Sequence, residues 1–126
     1  MTRLHLLQKV KDRKKQAGMT IDNISKLSHL GNRTVTRFFH GEDVKLSTVE
    51  KITNLLGLDF AGNEIIDIKT LKERRAEEKA LYIVSLVQDT SALEMQGLEK
   101  KSIDKLLNKA KEQFLTGKYK KTLWAS

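Results

Sequence analysis

Asn32, Arg33, Thr36 and Arg37 sit at positions i, i+1, i+4 and i+5 of a short helical pattern, so all four share its polar face. Their chemistry suits the edges of base pairs. The arginine fork matches O6 and N7 of guanine, and the asparagine amide matches N6 and N7 of adenine. Thr36 offers a methyl and a hydroxyl for a thymine methyl or a phosphate, and Arg37 lies one turn beyond Arg33. Around them, Thr20, Lys26, His40 and Lys45 carry donors suited to phosphate oxygens, contacts that position a protein on a duplex without reading its sequence. Taken alone, such a set is also what an ordinary solvated helix face looks like. Its surroundings decide between the two.

Other chemistry is poorly supplied. There is no cysteine, which removes thiolate metal sites and disulfides. His5, His29 and His40 share no metal-ligand spacing. No nucleophile motif, phosphate-binding glycine loop or dinucleotide fingerprint is present. The expectation is therefore a protein that is not an enzyme and holds neither metal nor cofactor. The run Lys9 to Lys15 reads as a solvated helix face.

The elements that must position the polar face follow a helical period throughout. Proline is absent, β-branched alternation is missing, and the glycines close helical patterns, so the fold class is all-α. A first helix around Leu4, Leu7 and Val10 ends at Gly18. Thr20 caps a second helix, with Asp22 in its first turn and Ile24 and Leu27 turned inward. After a turn at Leu30-Gly31, a third helix runs from Asn32 to Phe39 and Gly41 ends it. Ser47-Thr48-Val49-Glu50 has the form of a capping box opening another helix, which Gly57 closes. Glu42 to Lys45 would add a short turn of helix and bring the total to five. A boundary is expected at Phe60-Ala61-Gly62-Asn63, dividing the chain into 1–62 and 63–126. Beyond it, Ile65 to Gln88 reads as one long helix and Ser91-Ala92-Leu93-Glu94 as a capping box for a short helix ended by Gly97. Ser102 would then cap a last helix with the stripe Ile103, Leu106, Leu107, Ala110 and Phe114. The apolar run Ala80 to Val87 and that stripe make a second small core, a dimer interface or a docking surface. Trp124 is either tucked into the core or offered to a partner.

The chain has 126 residues and a formal net charge of +8, a balance that favours a polyanion partner because lysines and arginines near phosphates release condensed counterions. Its longest apolar stretch is too short for a bilayer and its first residues lack a secretory pattern, so a cytoplasmic protein without membrane partners is expected.

Between Met19 and His40 the apolar residues fall at the offsets that let one short helix lean on another. With Ile21 as offset one, Ile24 is four, Leu30 ten, Val35 fifteen and Phe38 eighteen, and Ser25 supplies a small residue at offset five. Together with Ala17-Gly18-Met19-Thr20, Thr34-Val35-Thr36-Arg37-Phe38, Gly41, Leu46 to Ile52 and Leu55-Leu56-Gly57-Leu58, this order resembles the XRE family, the Cro/cI-type helix-turn-helix domains of phage repressors. The resemblance covers about residues 4–60. It implies a five-helix, lambda-repressor-like domain, dimeric on double-stranded DNA, with its third helix in the major groove. Three positions depart from the family. Ile21 stands where Gln is usual and contacts a phosphate or base. His29 stands where Gly is common, so Gly31 is expected to absorb the left-handed turn. Phe39 stands where Glu usually pairs with an arginine matching Arg13, so Phe39 is expected to pack against Arg13 or the C-terminal half. The resemblance implies a sequence-specific, homodimeric transcriptional repressor, with an antitoxin-like autorepressor, whose C-terminal helices bind a toxin, as a narrower form. The alternative is a coactivator-like, helical protein-interaction module without operator specificity.

Overall fold

The computed structural model describes residues 2–91 and 100–126, with the backbone alone at 87–91 and 100. The described residues are helical with no strand, which establishes the all-α class. They form two compact units, Met1–Leu71 with Ala125–Ser126, and Lys72–Trp124.

The first unit holds α1 (Arg3–Ala17), α2 (Ile21–Ser28), α3 (Asn32–Phe39), α4 (Leu46–Leu55) and the opening turn of α5 (Ile68–Ser91). Thr2 caps α1 by accepting from the His5 amide at 3.3 Å, and Gly18 closes it. Helix α2 packs on α3 and α4, and α1 packs on α3. Val10, Ile24, Val35, Ile52 and Leu56 come from these four helices and their ends and are wholly buried, so one core serves the unit. Burying side chains of this size contributes about 1.5–3 kcal/mol each, enough to override the modest helix propensity of the β-branched ones.

Four local expectations change. Helix α4 begins at Leu46, not after Ser47: Lys45 is the N-cap, without a side-chain cap bond, and its carbonyl accepts from the Thr48 and Val49 amides at 3.0 and 3.2 Å. The earlier start places Thr48, Val49, Ile52 and Thr53 on the buried side. Glu42 to Lys45 is not helical but a connection between α3 and α4. The long helix starts at Ile68, three residues late, because Asp67 is its cap and accepts from the Thr70 amide at 2.6 Å. That bond holds the Asp67 carboxyl below its ordinary range. In the last helix, α6 (Lys100–Leu115), Ser102 lies inside rather than at the cap. Ser91 is helical within α5, and the rest of its expected capping box and Gly97 lie outside the described residues.

Arg13 explains why 57–66 stays with the first unit. Its side chain is 3% exposed, so the donors of its guanidinium need partners within the protein. Nε donates to the Leu56 carbonyl at 2.8 Å, Nη1 to Glu64 Oε2 at 2.5 Å, and Nη2 to the Ile66 carbonyl. The Gly57 carbonyl accepts from Ile65 and Ile66 at 2.9 and 3.1 Å, folding the segment back over the arginine. Gly57 has φ +72°, and a Cβ there would stand 3.2 Å from Arg13 Nη2 and from Ile66 Cβ. A side chain there would be strained at that dihedral and would press on both neighbours. Asp59 stabilises the turn before it by accepting from the Ala61 and Asn63 amides, and the Asn63 bond foremost lowers its carboxyl pKa.

The second unit is built from α5, α6 and a 3-10 turn at Lys120–Thr122 that packs on α6. Ala76, Ala80, Val84, Phe114, Leu123 and Trp124 are buried, so Trp124 is tucked in. Within the expected α6 stripe, Phe114 is buried and Leu106 is 41% exposed. Along Ala80 to Val87, Leu81, Tyr82 and Ile83 are exposed; the Val87 side chain lies outside the description.

Arg13→Ala should destabilise the full chain by about 2–4 kcal/mol, because the Leu56 and Ile66 carbonyls lose their donors while half-exposed Glu64 turns to water. Arg13→Lys keeps the charge without the fork and should still cost about 2 kcal/mol or more. Urea melts measure both; a loss below about 1 kcal/mol for Arg13→Lys would show that the charge alone matters.

Candidate nucleic-acid interface

The angle between α2 and α3 is set by the short link from Ser28 to Gly31. Ser25 is buried at the crossing, where its hydroxyl donates to the Leu30 carbonyl at 2.5 Å and its carbonyl accepts from the Leu30 amide at 3.1 Å. The small residue at this offset is therefore a fastener as well as a spacer. His29 carries the left-handed conformation itself, at φ 60° and ψ 27°. Gly31 is extended at φ −67° and ψ 148°, correcting the expectation that it would absorb the turn. The reason is the Ser25 bond, which holds Leu30 close and puts the reversal one residue before it.

Helix α3 turns Val35, Phe38 and Phe39 into the core. At about 100° per residue, Asn32, Arg33, Thr36 and Arg37 occupy a sector of about 140° on the other side. Asn32, Arg33 and Arg37 are exposed and Thr36 is half-buried. Gly31 provides no side-chain cap, so the first amides of α3 are left for water or an anionic oxygen. Arg33 makes no ion pair with any described residue. Arg37 Nε lies 3.6 Å from Glu42 Oε1, with both side chains about half exposed at 51% and 52%. Exposed pairs of this kind contribute about 0–1 kcal/mol, so another acceptor can replace the carboxylate at little cost.

Thr20 and Lys26 flank this face on α2. Thr20 forms a reciprocal capping box with Asn23: its hydroxyl accepts from the Asn23 amide, and Asn23 Oδ1 accepts from the Thr20 amide, each at 3.0 Å. The hydroxyl hydrogen stays available to a phosphate. Asp22 joins Lys26 to the start of α3, with Oδ2 at 3.2 Å from Lys26 Nζ and Oδ1 at 3.5 Å from Asn32 Nδ2. His40 is exposed at the end of α3 and Lys45 is exposed at the start of α4. The His40 amide donates to the Thr36 carbonyl at 3.0 Å, and neither side chain makes an ion pair with a described residue.

Sequence reasoning passed over Asp22 and Glu42 as interface residues, although each lies within five positions of the cation it holds. The third departure also resolves. Phe39 does not replace the missing carboxylate at Arg13, whose donors go to Leu56, Glu64 and Ile66. Phe39 instead meets the Phe38 ring edge-on at 5.1 Å, with Lys14 Nζ 5.9 Å from its centroid. Ile21 is half-buried and contributes packing where a glutamine would contribute a donor.

Beside the end of α3, a half-open apolar groove of about 450 Å³ is lined by Leu6, Leu7, Phe38, Val44, Leu46 and Phe60, with Arg3 and Asp43 paired at its margin. Among the described residues there is no group of His, Asp or Glu able to hold a metal, and no helix long and apolar enough to cross a membrane. No protein family, characterised protein or solved structure matches the chain.

His29→Gly should raise stability by about 1 kcal/mol, because it relieves a left-handed residue that bears a Cβ. Gly31→Ala meets no atom within 4 Å and should be close to neutral. Urea melts that show the opposite ranking would place the reversal at Gly31.

Proposed function

We propose that this chain is a sequence-specific DNA-binding protein, a transcriptional repressor whose α3 reads operator bases from the major groove. The observation that carries the reading is α3 itself. Three of its residues are buried, its N-terminus lacks a side-chain cap, and its free face carries two arginines and an asparagine at its exposed positions. A helix needing only solvation has no use for two arginine forks held by weak contacts or by none. The net charge of +8 supports a polyanion partner, and Thr20, Lys26, His40 and Lys45 supply phosphate donors around the face. The resemblance of residues 4–60 to Cro/cI-type domains points the same way.

The second unit supports the regulatory part of the proposal. Leu81 and Tyr82 on α5 are 51% and 66% exposed, and adjacent apolar residues left in water suit a protein interface. A second copy there would give a dimeric repressor; a toxin would give the antitoxin-like form. The cytoplasm is the compartment in which either would act.

One observation favours a second reading, a protein-interaction module without operator specificity. The first unit exposes Leu4, Leu46, Phe60 and Ile65 at 50–72%, and Leu46 and Phe60 line the apolar groove.

An operator selected from random duplexes separates the two. Arg33→Ala or Arg37→Ala should cost about 1–3 kcal/mol on that operator and flatten its preference over random DNA. Arg33 should matter more, because residues at the helix N-terminus enter the groove more deeply. Lys26→Ala should weaken both duplexes alike and lower the salt slope of log K by about one. Equal proportional losses on both duplexes for the arginine variants would remove the recognition-helix assignment and favour the interaction module.

A further inference from the structure

Residues 100–126 carry eight lysines against two carboxylates, Asp104 and Glu112, so this stretch holds a net +6 of the chain's +8. The opening of α5 in the same unit is different: between Lys72 and Lys79, four cations are interspersed with three carboxylates, and Arg75 pairs with Glu78 at 3.4 Å. The excess is therefore local to α6 and the turn after it.

Its placement is ordered. Lys101, Lys105 and Lys109 recur every fourth residue and are all exposed. At about 100° per residue they span about 80°, on the side of α6 away from buried Phe114. Lys118, Lys120 and Lys121 follow and are exposed as well. None of the six makes an ion pair with a described residue. Nor do the last three hang on a loose tail. The Lys118 amide donates to Gln113 Oε1 at 3.0 Å and the Tyr119 amide to the Gln113 carbonyl at 2.9 Å. Arg75 and Lys79 donate to the Leu123 and Thr122 carbonyls at 3.0 and 2.6 Å, and Leu123 and Trp124 are buried.

This arrangement works against the fold, because lysines at i and i+4 repel each other along α6, where Asp104 and Glu112 are the acids. A bound polyanion would relieve the repulsion. The residue type narrows the ligand further: every cation after Arg75 is a lysine. A lysine ammonium is a compact point charge suited to phosphate oxygens, without the planar fork that reads guanine.

We propose that α6 and the turn after it form a second DNA-contact surface, one that binds duplex phosphates without reading sequence. This rests on the reading of the chain as a DNA-binding protein. Joining such a surface to a base-reading unit lengthens residence on DNA without adding base contacts.

The test uses the full chain with K101Q, K105Q and K109Q combined, titrated with random-sequence duplex over a range of salt. The slope of log K against log salt should fall by about two to three, at about 0.9 for each phosphate no longer neutralised, with operator preference retained. A control, K11Q, K15Q and K51Q together, removes the same charge from exposed positions of α1 and α4 and should change the slope by less than about one. Equal changes in the two variants would overturn the surface and leave the α3 reading standing. Loss of binding to phosphatidylserine vesicles with an unchanged DNA slope would assign the lysines to a membrane and overturn it also. Failure of the unaltered chain to bind any duplex would remove both proposals together.

Discussion

A guanidinium cannot shed its charge, so a buried arginine binds a structure to whatever acceptors surround it. Arg13 on α1 reaches the Leu56 carbonyl just after α4, the Glu64 carboxylate and the Ile66 carbonyl. One side chain thereby joins the first helix, the end of the fourth and the segment leading to the fifth. A side chain at Gly57 would crowd the arginine there. Val10 on α1, Ile24 on α2, Val35 on α3, and Ile52 and Leu56 on α4 and at its end are wholly buried in the unit that the arginine joins. The orientation of α3, and with it the polar face, depends on that core. Removing the arginine would leave buried carbonyls without donors, a larger effect than the pair itself contributes to stability.

Much of the first unit was legible because its signals are local. Thr20, Gly18 and the apolar positions of α2 and α3 act within a few residues of themselves, and the structure places each helix boundary there within a residue of the expectation. The Asn32, Arg33, Thr36 and Arg37 face was legible for the same reason, since three buried residues determine where the polar ones point. What was not legible needed partners far along the chain. Arg13 lies 51 residues from Glu64, and only its usual partner position, held here by Phe39, was open to reasoning from the family pattern. The reversal at His29 escaped because glycine is the easier left-handed residue, and the Ser25 bond that decides otherwise is tertiary. The start of α4 was misplaced by a local signal: Ser47 and Glu50 have the capping form, but burial of Thr48 and Val49 outweighs it. Asp67 was within reach, as an aspartate three residues before a threonine at a helix start.

The polar face carries its own carboxylates. Asp22 holds Lys26 and Asn32, and Glu42 holds Arg37. In the proposed complex these contacts work in two directions. They keep long side chains near the geometry needed for DNA, which lowers the entropy lost on binding. They also repel a phosphate backbone wherever bases do not compensate, so random sequences are disfavoured more than the operator. Among the described residues no carboxylate pairs with the lysines at 101, 105, 109, 118, 120 and 121 of the second unit.

Amide chemical shifts of the labelled full chain separate recognition by the α3 face from attraction by basic charge alone. The titration uses a selected operator at salt high enough to suppress binding to random duplex. Recognition by α3 predicts the largest shifts at Asn32, Arg33, Thr36 and Arg37, with smaller ones at Thr20 and Lys26, and none of this pattern with a scrambled duplex. Shifts confined to residues 101–121, or identical for operator and scrambled DNA, would contradict it.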